Sequence, residues 1–168
     1  MKTYSGTFVT VGNAKQPFNR LFALIENVLE LLPKPIIAQT GSAIVEIQGV
    51  ITYEILQGQH FSQLIKDSSV VIMHAGAGSL IHALNNLQKP IVIPRRLKYG
   101  EHIDDHQIQL AREFYKQDKI FLIENVNDIQ LALDILMASK DKKNFHDNGL
   151  FKQKLIALLE NIKLNKHN

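Results

Sequence analysis

The stretch Val70–Ser79, reading VVIMHAGAGS, constrains this chain more than any other. Its apolar run, Val70–Met73, has the pattern of a strand buried on both faces of a parallel sheet. The run ends in His74, after which small residues bracket Gly76 and Gly78. Glycines at that point let the backbone turn tightly and approach a ligand closely. Leu80-Ile81-His82-Ala83-Leu84 then opens a helical pattern. The N-terminus of such a helix offers free N–H groups and the positive end of a dipole to a phosphate. The segment therefore points to an anion or nucleotide site; tight strand-to-helix packing is the alternative reading of the same glycines.

The rest of the chain repeats this strand-then-helix alternation. Strands are expected at Thr7–Val11, Pro35–Gln39, Val70–Met73, Pro90–Ile93 and Ile120–Ile123, with a further short strand inside Ala43–Ile55. Helices are expected at Phe18–Leu32, Phe61–Lys66, Ser79–Leu87, Asp104–Gln117 and Val126–Ala138, the fourth with Ile108, Ala111, Arg112 and Tyr115 along one face. Pro33 and Pro35 stop the first helix. A final amphipathic helix is expected at 150–164, after a solvated basic loop at Lys140–Lys143. Short strands alternating with helices give an α/β, Rossmann-like, mostly parallel sheet with helices on both faces. In such sheets ligands sit beyond the carboxyl ends of the strands. That rule selects four loops: Gly12–Phe18, Gln39–Ser42, His74–Ser79 and Pro94–Gln107.

Bulk properties bound the functional classes. A chain of 168 residues is read as one domain, large enough to bury a core. Its net charge of +3 suits a phosphate ligand or anionic lipid and is too small to argue for nucleic acid. With no cysteine there is no disulfide framework, no thiolate zinc site and no cysteine nucleophile, consistent with a cytoplasmic setting. The N-terminus lacks the apolar core of a signal peptide, and no apolar run approaches the roughly 18 residues of a membrane span. Ser79 lies in Ala77-Gly78-Ser79-Leu80-Ile81, not the G-x-S-x-G of a serine hydrolase. Gly12 is not followed by the G-x-G-x-x-G of a nicotinamide site. His102 and His106 are spaced to present ligands to a divalent metal, but Ile103 occupies the position of the glutamate in H-E-x-x-H.

VTVG, PFNRL, IIAQTG, VVIMHAGAGSLIHAL, KPIVIPR and YGEHIDDHQIQLA occur in that order between Thr7 and about Glu124. This order resembles glycosyltransferase family 28 C-terminal domains. It is most similar to the small soluble subunits of split GT-B glycosyltransferases: the PssE type of bacterial exopolysaccharide and capsule synthesis, and the catalytic subunit of the dolichol-linked UDP-N-acetylglucosamine transferase. It is similar also to the C-terminal half of MurG. The resemblance implies the donor-binding half of a heteromeric, inverting, UDP-sugar-dependent hexosyltransferase that needs no cofactor, the UDP-sugar being substrate. It further implies a membrane-anchored partner subunit that binds a lipid-linked acceptor, and a peripheral position at the inner membrane face. A single Rossmann-like domain, 1–168, agrees with half of a two-domain cleft. Without its partner, exposed apolar surface makes a homodimer plausible.

Site residues follow from the same resemblance. Gly76, Ala77, Gly78 and Ser79 would meet the diphosphate through backbone N–H groups and one hydroxyl. His74 is either a nucleotide contact or a core histidine. His106 and Gln107 match the helix start that holds donor sugar or uridine. Arg95, directly after a strand, would reach the cleft to stabilise the diphosphate. Asp104 is either a ligand contact or, like Asp105, a helix cap. Gly12 and Asn13 would line the first loop. Glu101 and His102 are the acid–base candidates, although in related fused enzymes the base often lies on the other domain. His82 stands where the family commonly has a glutamate for the ribose hydroxyls; the alternatives are a weaker ribose contact and an ordinary surface residue. A non-catalytic nucleotide-sugar-binding or regulatory module of the same fold is the rival reading. The final helix, with Phe151, Leu155, Leu158 and Ile162 in register, either packs on this domain or its partner, or lies near an anionic membrane.

Overall fold

The computed structural model describes residues 5–56, 58–86 and 88–138. The expected helix at 150–164 and the basic loop at 140–143 lie outside the described residues. Six parallel strands form one sheet in the order β3-β2-β1-β4-β5-β6. They are β1 (Thr7–Thr10), β2 (Ile36–Gln39), β3 (Val50–Tyr53), β4 (Val70–Met73), β5 (Ile91–Val92) and β6 (Phe121–Leu122). The helices are α1 (Asn19–Glu26), α2 (Gly58–Asp67), α3 (Ala77–Asn85), α4 (His106–Lys116) and α5 (Val126–Ala138).

The two-residue side-chain period of β4 builds both layers of the core. Val70 and Ile72 face a cluster with Leu21, Phe22 and Ile25 of α1 and Ile129 and Leu133 of α5. Val71 and Met73 face the other side, against Ile65 of α2, Leu80 and Ala83 of α3, and Leu110 and Phe114 of α4. This double burial explains why the strand reads as an uninterrupted apolar run.

Helix α2 begins at Gly58, three residues before the expected Phe61, and α4 at His106, two after the expected Asp104; three other features also differ from expectation. The segment expected as one helix to Leu32 ends at Glu26 and resumes as a 3₁₀ turn, Leu29–Leu31. The Asn27 side-chain amide donates to the Ala23 carbonyl (2.7 Å), the acceptor that the Asn27 backbone N–H would need to extend the helix. Helix α4 buries Gln107, Leu110, Ala111 and Phe114, whereas Tyr115 and Arg112 are exposed. Periodicity alone placed the face one residue off, because the polar Gln107 points inward. Helix α3 starts at Ala77, two residues earlier than expected, so Gly78 and Ser79 lie within its first turn.

Ile72 is fully buried and Ile44 is 98% exposed. Ile72→Ala is expected to lower unfolding free energy by about 2–5 kcal/mol, and Ile44→Ala to leave it nearly unchanged, in urea denaturation.

Candidate functional site

Strands β1 and β4 are central neighbours, and the chain progresses outward from them in opposite directions. This is the topological switch point, where the loops leaving two adjacent strands diverge and open a crevice. A cleft of about 440 Å³ lies there. Gly12 and Asn13, after β1, form one wall, and His74 and Gly76–Ser79, after β4, form the other. His82 and Phe61 line it as well.

The first turn of α3 is the chemical centre of this cleft. Leu80 N–H bonds to the Gly76 carbonyl (2.9 Å) and begins the helical ladder. The N–H groups of Ala77, Gly78 and Ser79 precede it and have no intrahelical acceptor, and no side chain caps the helix. A Cβ built on Gly78 would meet nothing within 4 Å. The backbone is thus open on the cleft side, with unpaired donors and a positive dipole end.

The other two glycines serve a different purpose from the one their sequence suggested. A Cβ on Gly76 would lie 2.1 Å from His74 Nε2, and one on Gly12 would lie 2.5 Å from the same atom. Gly12 also has φ of +71°. Both are glycine because the His74 imidazole occupies the space between them. His74 is 8% exposed, and its Nδ1 has no partner among the described residues. Burial, with the nearby Arg95 charge, lowers its pKa to about 4, so the ring is neutral at physiological pH.

A polar chain missed by the sequence reading fixes the first loop. Thr10 Oγ1 donates to Gln39 Oε1 (3.2 Å), and Gln39 Nε2 donates to Asn13 Oδ1 (2.7 Å). Gln39 lines the cleft, as do Leu56 and Gly58 after β3. Only the position of Gln39 at a strand end signalled it. Phe61, near the start of α2, gave no local signal and contacts His82 with ring centroids 5.9 Å apart. His82 Nε2 is buried without a partner among the described residues, so this histidine is a cleft-wall group rather than a surface one.

The remaining expected residues lie outside the cleft. Arg95, expected to reach the diphosphate, is fully buried. Its guanidinium donates to the carbonyls of Gln16 (2.7 Å), Glu101 (2.9 Å) and Val11 (2.9 Å), and stacks 4.7 Å above the Phe18 ring. Burial lowers its pKa to about 10, offset in part by Glu101, so it stays cationic. Glu101, an acid–base candidate in the sequence, is committed to Arg20 (2.8 and 2.9 Å) and to the Arg96 backbone N–H (2.9 Å). Gln107, expected on the sugar, instead accepts the backbone N–H groups of Ala75 and Arg95 with one oxygen (both 3.2 Å). It ties the loop after β4 to the end of β5. These three side chains brace the loops that shape the cleft.

His102 and His106 flank Asp104, at 3.0 and 3.7 Å. Among the described residues no three such groups converge as a metal site. Asp104 also accepts the His106 backbone N–H (3.1 Å) and so serves the helix start, whereas Asp105 accepts the Leu97 N–H (2.9 Å). None of these lines the cleft.

The sequence profile of the glycosyltransferase family 28 C-terminal domain matches residues 7–158. The chain belongs to this family. Solved structures share the fold of this family 28 domain. One is a glycotransferase of kitacinnamycin, with TM-score 0.64 and 14% identity over 94% of this chain and 41% of that one. Another is the NMR structure of ALG13, with TM-score 0.58 and 20% identity over 90% of this chain and 94% of that one. A third is the glycosyltransferase SnogD from Streptomyces nogalater, with TM-score 0.51 and 15% identity over 94% of this chain and 44% of that one. The chain thus spans less than half the length of the first and third. No curated protein matches it. The fold is that of one half of a GT-B glycosyltransferase, Rossmann-like and all-parallel.

Two outcomes are expected in this site. Gly76→Ala must displace the imidazole and is expected to lower stability by about 1–3 kcal/mol, whereas Gly78→Ala, in open space, is neutral or stabilising; thermal unfolding compares them. His74 has a folded pKa below its unfolded one, so the unfolded chain binds the extra proton. Its stabilising contribution is complete above pH 6.5 and is lost as pH falls toward about 4. His74→Gln is expected to flatten the pH dependence of unfolding across that window.

Proposed function

We propose that this family 28 domain is the donor-binding subunit of a heteromeric, inverting glycosyltransferase. It binds a UDP-sugar and, with a membrane-anchored partner that supplies the acceptor-binding half, transfers the sugar to a lipid-linked acceptor in polysaccharide synthesis. The observation that carries the reading is the uncapped first turn of α3, open at Gly78, facing a cleft at the switch point. Three converging N–H groups and a helix dipole suit a diphosphate, both when bound and when it departs as the leaving group. The neutral His74 ring and the His82 side chain beside it add polar contacts to the cleft wall. ALG13, a single-domain structure of nearly this length, supports a domain of this kind standing as a separate subunit.

In the reaction the acceptor hydroxyl attacks the anomeric carbon from the face opposite the UDP, the glycosidic bond to UDP breaks, and the hydroxyl proton passes to a base. Glu101 is paired with Arg20 and His102 with Asp104, both away from the cleft. With both of these acid–base candidates engaged elsewhere, we assign the base to the partner. No helix of the described residues is long and apolar enough to cross a membrane, and the partner supplies the anchor. The placement of Glu101 and His102 away from the cleft also favours a second reading, a nucleotide-sugar-binding module without transferase activity.

The test is calorimetric titration of UDP and UDP-sugars with and without EDTA. Binding that survives EDTA, is abolished in Gly78→Asp and is retained in a Thr52→Ser control is expected. Absence of UDP binding both alone and with a candidate partner overturns the donor-half reading. Binding with no sugar transfer by the reconstituted pair selects the second one.

A further inference from the structure

Parallel strands are ordinarily covered on both faces by their crossover helices. Strand β3 departs from this. It is an outer strand of the sheet, and every residue from Ile51 to Ile55 is exposed. Ile51, Tyr53 and Ile55, two residues apart and hence on one face, are 50%, 40% and 49% exposed. Edge strands of soluble proteins are usually blunted by lysine, proline or a bulge. Val50–Tyr53 contains none of these and pairs in continuous register with β2.

The hydrogen-bond phase of this edge is fixed. Thr40 N–H donates to the Tyr53 carbonyl (2.8 Å). In a parallel ladder the peptide groups of Tyr53 and Ile51 therefore face β2, and both the N–H and C=O of Thr52 point away from the sheet. A residue with both groups outward can pair with its own copy across a two-fold axis.

We infer that β3 pairs antiparallel with β3 of a second copy of this chain, the two-fold axis passing beside Thr52. In that register the two Thr52 residues exchange N–H···O=C bonds, and Glu54 N–H meets the Val50 carbonyl of the other copy. Ile51 then lies opposite Tyr53 of the second copy, and Tyr53 opposite its Ile51. β-branched–aromatic pairs are favourable cross-strand neighbours. Glu54 falls opposite Val50, so no like charges are opposed. Two sheets join into one, and the two apolar stripes lie side by side on one face, in contact through the Ile51–Tyr53 pairs. The contact is isologous and closed, as a two-fold dimer requires. A strand of four residues buries little area, so the association is weak and reversible.

The chain has no cysteine, which makes the test direct. A hydrogen-bonded antiparallel pair has Cα atoms about 5.5 Å apart, within disulfide reach. Thr52→Cys is expected to form a covalent dimer under mild oxidation, and Gln130→Cys, on the exposed side of α5, is expected to stay monomeric. Sedimentation velocity of the unmodified full chain should show a concentration-dependent dimer. Thr52→Pro, which removes only the outward N–H, should be monomeric with an unchanged melting temperature. A chain that stays monomeric at every concentration, a dimer that persists in Thr52→Pro, or Thr52→Cys that cross-links no more than Gln130→Cys overturns the proposal. Should Thr52→Pro fail to fold, the cysteine pair decides it.

Discussion

The cleft depends on one buried cation. Arg95 gathers carbonyls from the start and the end of the loop after β1 and from the loop after β5, with the Phe18 ring beneath its guanidinium. Those carbonyls have no strand partners, because they belong to turning backbone, and unsatisfied they would each cost about 1–3 kcal/mol. One planar side chain with several diverging donors satisfies them together, which a lysine ammonium cannot do in that geometry. Glu101 completes the arrangement from the other direction, binding Arg20 and the Arg96 N–H with its carboxylate while its carbonyl accepts from Arg95. Gln107 extends it to the loop after β4. The loops after β1, β4 and β5 are thereby tied to one another through the hydrogen bonds of buried side chains.

That rigidity has a functional sense. A site built from helix N-terminal N–H groups works only when the donors already point at the place the anion will occupy. Here the first turn of α3 is fixed by core packing of Leu80 and Ala83, and the loop before it by Gln107. His74 fills the space between the two glycine-bearing loops, so neither collapses into the cleft. The result is a cleft wall with an uncapped helix start on one half of a GT-B architecture. The opposite wall, with its acceptor site and general base, belongs in our reading to another polypeptide.

Much of the fold was legible in the chain. β4 and α5 fall where the apolar patterns put them, and β1, β2, β5 and β6 within a residue at each end, because buried strands leave short apolar runs; the exposed β3 was expected only somewhere inside Ala43–Ile55. The helix ends were less legible, since Asn27 and Gln107 act through side-chain hydrogen bonds that periodicity does not weigh. For the cleft, the glycine motif pointed to the loop after β4, and Gly78 and its neighbours do line the cleft. It did not distinguish a glycine that leaves room for a ligand from one that leaves room for His74. Arg95, Glu101 and Gln107 had the chemistry of a site, and nothing local says whether a polar side chain after a strand turns toward the cleft or toward backbone. Phe61 and Leu56 reach the cleft from a different strand connection, and their placement depends on β3 lying two strands away from β1.

The sequence by itself determined an α/β sheet, its alternation, and a strand-glycine-helix unit able to meet an anion. Those are local properties: apolar period, glycine spacing and helix start are each encoded within about ten residues. The tertiary structure decided which charged groups are solvent-facing chemistry and which are internal scaffolding. It also decided that the β1 and β4 loops share one cleft and that β3 is left as an open, apolar edge. Those outcomes depend on contacts between residues far apart in the chain, such as Arg95 with Val11 or Tyr53 with Thr40. Strand order sets them, and no spacing within a single segment encodes strand order.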